Sequence, residues 1–120
     1  LDNGKGLTVW IALDKSRKEN GAIFYYKNSH KLGLQPHKSS YAPGSSQTLK
    51  NVEILKKFQK VTPELNPGDI LIHDCLIIHG SNKNRSNKDR TGLTMRYIAN
   101  SSKINKAAKL KYEKALKKQT

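Results

Sequence analysis

Cysteine is almost missing from this chain of 120 residues. Cys75 stands alone, so no intramolecular disulfide can staple the fold. That fits a reducing compartment and sets the expectation of a cytoplasmic protein. Aromatic residues are sparse at 7%, with one tryptophan, Trp10. Long apolar runs are lacking too. The longest are a few residues, too short to span a bilayer, and no signal peptide is visible. A hydrophobic share of 35% and a mean hydropathy of −0.75 leave material for one domain with a modest core, marginal in stability on its own.

Acidic residues are also scarce, nine Asp and Glu against 23 Lys and Arg, which gives a net charge of +14 and a pI near 10. Such a balance suits nucleic acid, an anionic membrane or an acidic substrate. The lysines, however, are scattered along the whole chain among Asn, Ser and Ile, with no designed patch. A nucleic-acid partner is therefore not expected.

What is present is organised around residues 67–97, PGDILIHDCLIIHGSNKNRSNKDRTGLTMRY. Pro67-Gly68-Asp69 is a turn signal. Ile70-Leu71-Ile72 and Leu76-Ile77-Ile78 read as short buried strands, the second ending at His79. A polar loop follows, and residues 93–98 alternate like a strand. Arg90 thus returns towards His79 from the next strand. A non-haem iron oxygenase needs two His and one carboxylate on one face of Fe(II). If a 2-oxo diacid also binds, its far carboxylate needs a fixed cation, and the planar fork of Arg pairs with it bidentately. The Ser81 hydroxyl could add a hydrogen bond to the same carboxylate.

PGDILIHD followed by HGSNKNRSNKDRTGLTMRYIA resembles the distal half of the phytanoyl-CoA dioxygenase family. Upstream, LTVWIALDKSRKENGAIFYYKNSHKLG is similar to the segment after that family's first metal motif. The likeness covers roughly residues 6 to 99. It implies a mainly β fold, part of a double-stranded β-helix (jelly roll, cupin-like). It also implies Fe(II) and 2-oxoglutarate as cofactors, with O2 and a small organic or acyl substrate, and release of succinate and CO2. His79 matches the distal iron ligand, and Arg90 the Arg that binds the C5 carboxylate of 2-oxoglutarate. Ser81 matches the hydroxyl that assists Arg90, and Trp10 a wall of the 2-oxoglutarate pocket.

Two departures stand out. None of His30, His37, His73 and His79 opens the family's proximal His-x-Asp motif. Lys27-Asn28-Ser29-His30 stands where the family usually has Pro-Gly-Ser-His. The expectation is the C-terminal part of a longer enzyme, inactive by itself. The alternatives are a catalytically inactive basic module binding nucleic acid or an anionic surface, and a halogenase, in which chloride replaces the carboxylate on iron.

Along the chain, residues 7–13 and 22–26 read as strands, joined by a charged turn closing on Asn20-Gly21. By residue type alone Trp10 is a core aromatic. Residues 27–37 read as a loop, with His30 and His37 on the surface. Residues 39–46 read as a loop or lid, with Tyr41 a substrate-contact candidate. Residues 48–60 carry Leu49, Val52, Leu55 and Phe58 at near-helical spacing, and 61–65 read as a strand. Cys75 reads as a small core residue inside an apolar strand. His73 reads as a hydrogen-bonded histidine, the alternative being a metal pair with His79, and Asp74 caps the turn between the two runs. Arg90, Gly92, Thr94 and Arg96 share one parity as a pocket wall, with Arg96 either a second anion contact or a surface ion pair. Arg85 reads as solvated. Residues 1–99 are expected to form the distal oxygenase portion. Residues 100–120 are expected to form a basic helix striped by Ile104, Ala108, Tyr112 and Ala115.

Overall fold

A computed structural model describes residues 5–42 and 47–118. Eight strands and one helix run in the order β1 (Gly6–Ala12), β2 (Ile23–Tyr26), β3 (His37–Ser39), β4 (Gln47–Leu49), β5 (Lys60–Val61), β6 (Ile70–Asp74), β7 (His79–Ser81), β8 (Gly92–Ile98) and α1 (Lys106–Lys117). β1 is the centre of one antiparallel sheet, β6-β1-β8, and β2 the centre of another, β5-β2-β7. β3 and β4 make a separate two-stranded ribbon. This is the mainly β architecture of part of a double-stranded β-helix, with the helix at its C-terminal end.

The turns follow their residues. Asp69 N–H donates to the Asn66 carbonyl, with Pro67 and Gly68 between them and Gly68 at φ +93°. That is a turn in which Pro presets φ and only Gly accepts the positive angle without strain. Asn28, where the resembled family has Gly, takes φ +66°, and Asn tolerates this region better than most side chains.

Several expectations need correction. Ile70-Leu71-Ile72 is a strand but not a buried one, since Ile70 and Ile72 are exposed. Leu76-Ile77-Ile78 is not a strand. Asp74 turns the chain there: its Oδ1 accepts Leu76 N–H at 2.7 Å and its carbonyl accepts Ile77 N–H at 3.1 Å. His79 therefore opens β7 rather than ending a strand, and Cys75 sits exposed in this turn instead of in the core. The strand expected over 61–65 shrinks to Lys60–Val61, because Pro63 has no N–H for a ladder, and Leu65 returns only as an isolated bridge to Ser16. Within 48–60 the helical spacing yields one 3-10 turn, Glu53–Lys57, and Leu49 belongs to β4. The 27–37 loop holds a further short turn, Ser29–Leu32, and residues 43–46 of the expected lid lie outside the described residues.

The core is small. Trp10, Ala12 and Leu65 are buried together, with Ile23 and Leu71 packed against them. α1 is capped by Asn105, whose Oδ1 accepts Ala108 N–H at 2.9 Å, and it stays on the surface with no buried residue. Among the described residues no helix is long and apolar enough to cross a membrane.

Candidate active site

Residues paired across antiparallel strands project to the same face. In the first sheet, β1 puts Thr8, Trp10 and Ala12 on one face. They pair with Leu71 and His73 on β6 and with Gly92, Thr94 and Arg96 on β8. In the second sheet, Ile23 and Tyr25 of β2 share a face with Ser81 and His79 of β7. Ile23 and Leu71 meet at the Trp10 cluster, so these two faces look at one another. The parity expected for Gly92, Thr94 and Arg96 is the one observed.

At one end of the space between the sheets, three rings gather. Tyr25 stacks on His79, with centroids 5.8 Å apart and planes 29° from parallel. His73 lies 4.9 Å from His79 and 5.2 Å from Tyr25. The Tyr25 hydroxyl is 3.0 Å from His73 Nδ1. Burial pushes the Tyr25 phenol up to about 12 and so keeps its proton. Burial first, then the neighbouring His79, brings His73 down to about 4, so its ring is neutral near pH 7. The phenol and His73 Nδ1 share one hydrogen bond, whose donor is set by the imidazole tautomer. His73 is thus a hydrogen-bonded histidine, as expected.

In His79, Nδ1 lies 2.9 Å from the Ile77 carbonyl, which can only accept, so Nδ1 carries the hydrogen and Nε2 keeps a lone pair. This is how metal-binding histidines are usually held. The approach to His79 is fixed by Ser29, fully buried, whose Oγ accepts Ile78 N–H at 2.8 Å. His79 fits one position on an iron ion. Among the described residues no three His, Cys, Asp or Glu side chains come together as a metal-binding group.

At the other end, the Arg90 guanidinium carbon stands 5.8 Å from the Trp10 ring centre. The loop leading to Arg90 is pinned by Asn20. Its amide donates to the carbonyls of Lys15 (2.7 Å) and Asp89 (3.1 Å), while its Oδ1 accepts Arg17 N–H at 2.7 Å. Arg85 N–H adds a bond to the Glu19 carbonyl at 3.0 Å. On the far side of Arg90, Asp14 accepts Thr91 N–H at 2.9 Å, and its hydrogen bonds with Thr91 hold its carboxyl below the usual range.

Of the residues singled out in the sequence, His79, Ser81, Trp10 and Arg96 share the facing surfaces, and Arg90 stands against Trp10. Arg96 lies across from Thr8, in the row that continues to His73, and makes no ion pair found among the described residues. Tyr41 lies elsewhere, 80% exposed and beside Leu110 and Lys114 of α1. Sequence reasoning missed Tyr25, Asn20 and Ser29. Tyr25 read as one more strand aromatic and Asn20 as half of a turn dipeptide. Alternation would have put Tyr25 on the Ile23 face, but nothing local says what that face meets.

The phytanoyl-CoA dioxygenase (PhyH) family matches residues 2–92. A probable phytanoyl-CoA dioxygenase of Caenorhabditis elegans is 28% identical over 93 residues, covering 74% of this chain and 29% of that protein. The chain therefore spans under a third of this relative. EvdO2 of Micromonospora carbonacea var. aurantiaca, solved with 2-oxoglutarate, superposes with a TM-score of 0.69 at 20% identity, over 83% of this chain and 40% of its own. The epimerase SnoN of nogalamycin biosynthesis, solved with Fe3+, alpha-ketoglutarate and nogalamycin RO, superposes with a TM-score of 0.63 at 22% identity, over 79% of this chain and 36% of its own.

Proposed function

Because the chain belongs to the phytanoyl-CoA dioxygenase family, we propose that it is the distal part of an Fe(II)- and 2-oxoglutarate-dependent dioxygenase acting on a small organic or acyl substrate. The observation that carries this reading is the state of His79, whose Nδ1 is engaged by the Ile77 carbonyl and whose Nε2 is left to bind a metal. Iron held there would supply the family's oxygen chemistry, in which O2 gives one oxygen atom to 2-oxoglutarate, forming succinate and CO2, and the other to oxidation of the substrate.

The chain's own residues have separate tasks. His79 holds one coordination position. Arg90 pairs with the far carboxylate of 2-oxoglutarate, and its fork sets the angle of approach. Ser81, two residues beyond His79 on the same face, donates a hydroxyl to that carboxylate. Trp10 forms the apolar wall between the two ends and keeps water from the carbon chain of the cosubstrate. Arg96 and Thr8 face the same space and are the groups a polar or anionic substrate would meet. With His79 the one iron ligand assigned among the described residues, the 120-residue chain is expected to be inactive and to bind Fe(II) weakly.

The test is succinate release from 2-oxoglutarate under air with Fe(II), in the 120-residue chain and in a protein of the relatives' length that contains it. Release by the longer protein, abolished by His79→Ala and absent from the short chain, is expected. A longer protein that neither binds nor consumes 2-oxoglutarate would overturn the reading. Salt-dependent binding to nucleic acid or anionic lipid would then be measured as the mark of a basic binding module.

A further inference from the structure

Beyond the iron ligand itself, we infer that Tyr25 and His73 are positioning residues, a clamp of two adjoining rings packed against the His79 imidazole that fixes its plane so that its Nε2 faces the space between the sheets. The inference rests on the reading of His79 as a metal ligand.

The clamp is built from both sheets. Tyr25 is the direct cross-strand partner of His79 in the β2–β7 pairing, so its ring is delivered to the flat side of the imidazole. His73 comes from β6 in the other sheet and packs on the same imidazole. A hydrogen bond between the Tyr25 hydroxyl and His73 Nδ1 ties the two rings together. An imidazole on β7 is otherwise poorly restrained. His79 is exposed, at the first residue of a strand of only three. Its bond to Ile77 reaches back just two residues, to a turn, and requires one ring rotation. With the ring turned over, the Ile77 carbonyl would meet a carbon and the proton would be free to move to Nε2, removing the lone pair. The clamp thus protects a tautomer as well as an orientation.

Nitrogen-15 histidine spectra of the full chain, free of metal at pH 7.5, read the clamp directly. His79 is expected as a single Nδ1–H tautomer, with ring-to-ring nuclear Overhauser contacts to Tyr25. Tyr25→Leu and His73→Leu are expected to mix the His79 tautomers. In a protein of the relatives' length they should also weaken Co(II) binding by roughly 10–100-fold, the usual cost of losing a group that orients a metal ligand. Tyr25→Phe keeps the ring and should retain more Co(II) affinity than Tyr25→Leu. Mixed tautomers in the parent chain would overturn the inference. So would leucine variants that fold, by circular dichroism, and hold Co(II) as the parent does. If neither variant folds, the parent spectrum decides alone. An ordered, clamped His79 in a longer protein that consumes no 2-oxoglutarate would sink the oxygenase reading and leave the clamp standing.

Discussion

Gly92 faces Ala12 across the β1–β8 pairing, and the edge of the Trp10 indole occupies the space where a side chain at position 92 would begin. A Cβ there would overlap the aromatic ring, and Trp10 cannot retreat easily, because it is buried with Ala12 and Leu65. Gly92→Ala is therefore expected to destabilise the chain by about 1–3 kcal/mol, the range for forcing extra carbon into a packed core. Urea unfolding checks the magnitude. Trp10 is the single tryptophan, so a shift in its emission checks the cause. Unchanged emission with unchanged stability would mean that the indole does not lie against Gly92.

Arg90 is expected to discriminate geometry as well as charge. Arg90→Lys keeps the cation but loses the paired N–H groups that match a carboxylate. Removing a charge-assisted hydrogen bond costs about 1.5–3 kcal/mol. This corresponds to a loss of roughly 10–100-fold in affinity for 2-oxoglutarate. Calorimetric titration of a protein of the relatives' length measures it. A lysine variant that binds equally well would assign the far carboxylate to another group.

How far the sequence could be read depended on how local the signal was. The strand at residues 7–13, the Pro67-Gly68 turn and the alternation through Arg96 were legible because each is decided within a few residues. The apolar run Leu76-Ile77-Ile78 misled because composition favours a strand while Asp74, by accepting the next amides, makes a turn. Cys75 was misplaced with it. His79, Arg90, Ser81 and Trp10 stood out through the resemblance to the family, while residue type alone made Trp10 a core aromatic. The Tyr25–His73–His79 group did not, since its members lie on three strands in two sheets. Only the pairing of those strands brings them together.

His73 gives a pH dependence whose sign can be worked out. Its folded value, about 4, lies below the ordinary 6.5, chiefly through burial. Between these values the unfolded chain binds more protons than the folded one, so stability rises with pH across the window. The contribution is complete above about pH 6.5 and is lost as pH falls towards 4. Solvent screening at a half-buried ring reduces it to roughly 1–2 kcal/mol. In the metal-free chain, His73→Gln should flatten the stability profile between pH 4 and 6.5, followed by urea midpoints. An equally steep profile in the variant would place the titration elsewhere.

The outer face of the first sheet makes a different demand. Leu7, Val9 and Ile11 of β1 are flanked in register by Ile70 and Ile72 on β6 and by Leu93, Met95 and Tyr97 on β8. Ile72 is 67% exposed and Ile70 54%, so this apolar surface faces water in the chain as it stands. Antiparallel sheets with a solvated face usually carry polar residues there, and a contiguous patch of this kind favours association. The net charge of +14 opposes it. The two effects respond oppositely to salt, because screening shortens the reach of the repulsion and leaves apolar contact intact. Sedimentation of the isolated chain is therefore expected to show monomers at low ionic strength and growing self-association as salt is raised. Ile72→Lys should suppress the association and reduce binding of a hydrophobic dye. Its cost in stability should stay within about 0.5 kcal/mol, as for an exposed position. Large destabilisation by Ile72→Lys would mean that another part of the chain already covers this face.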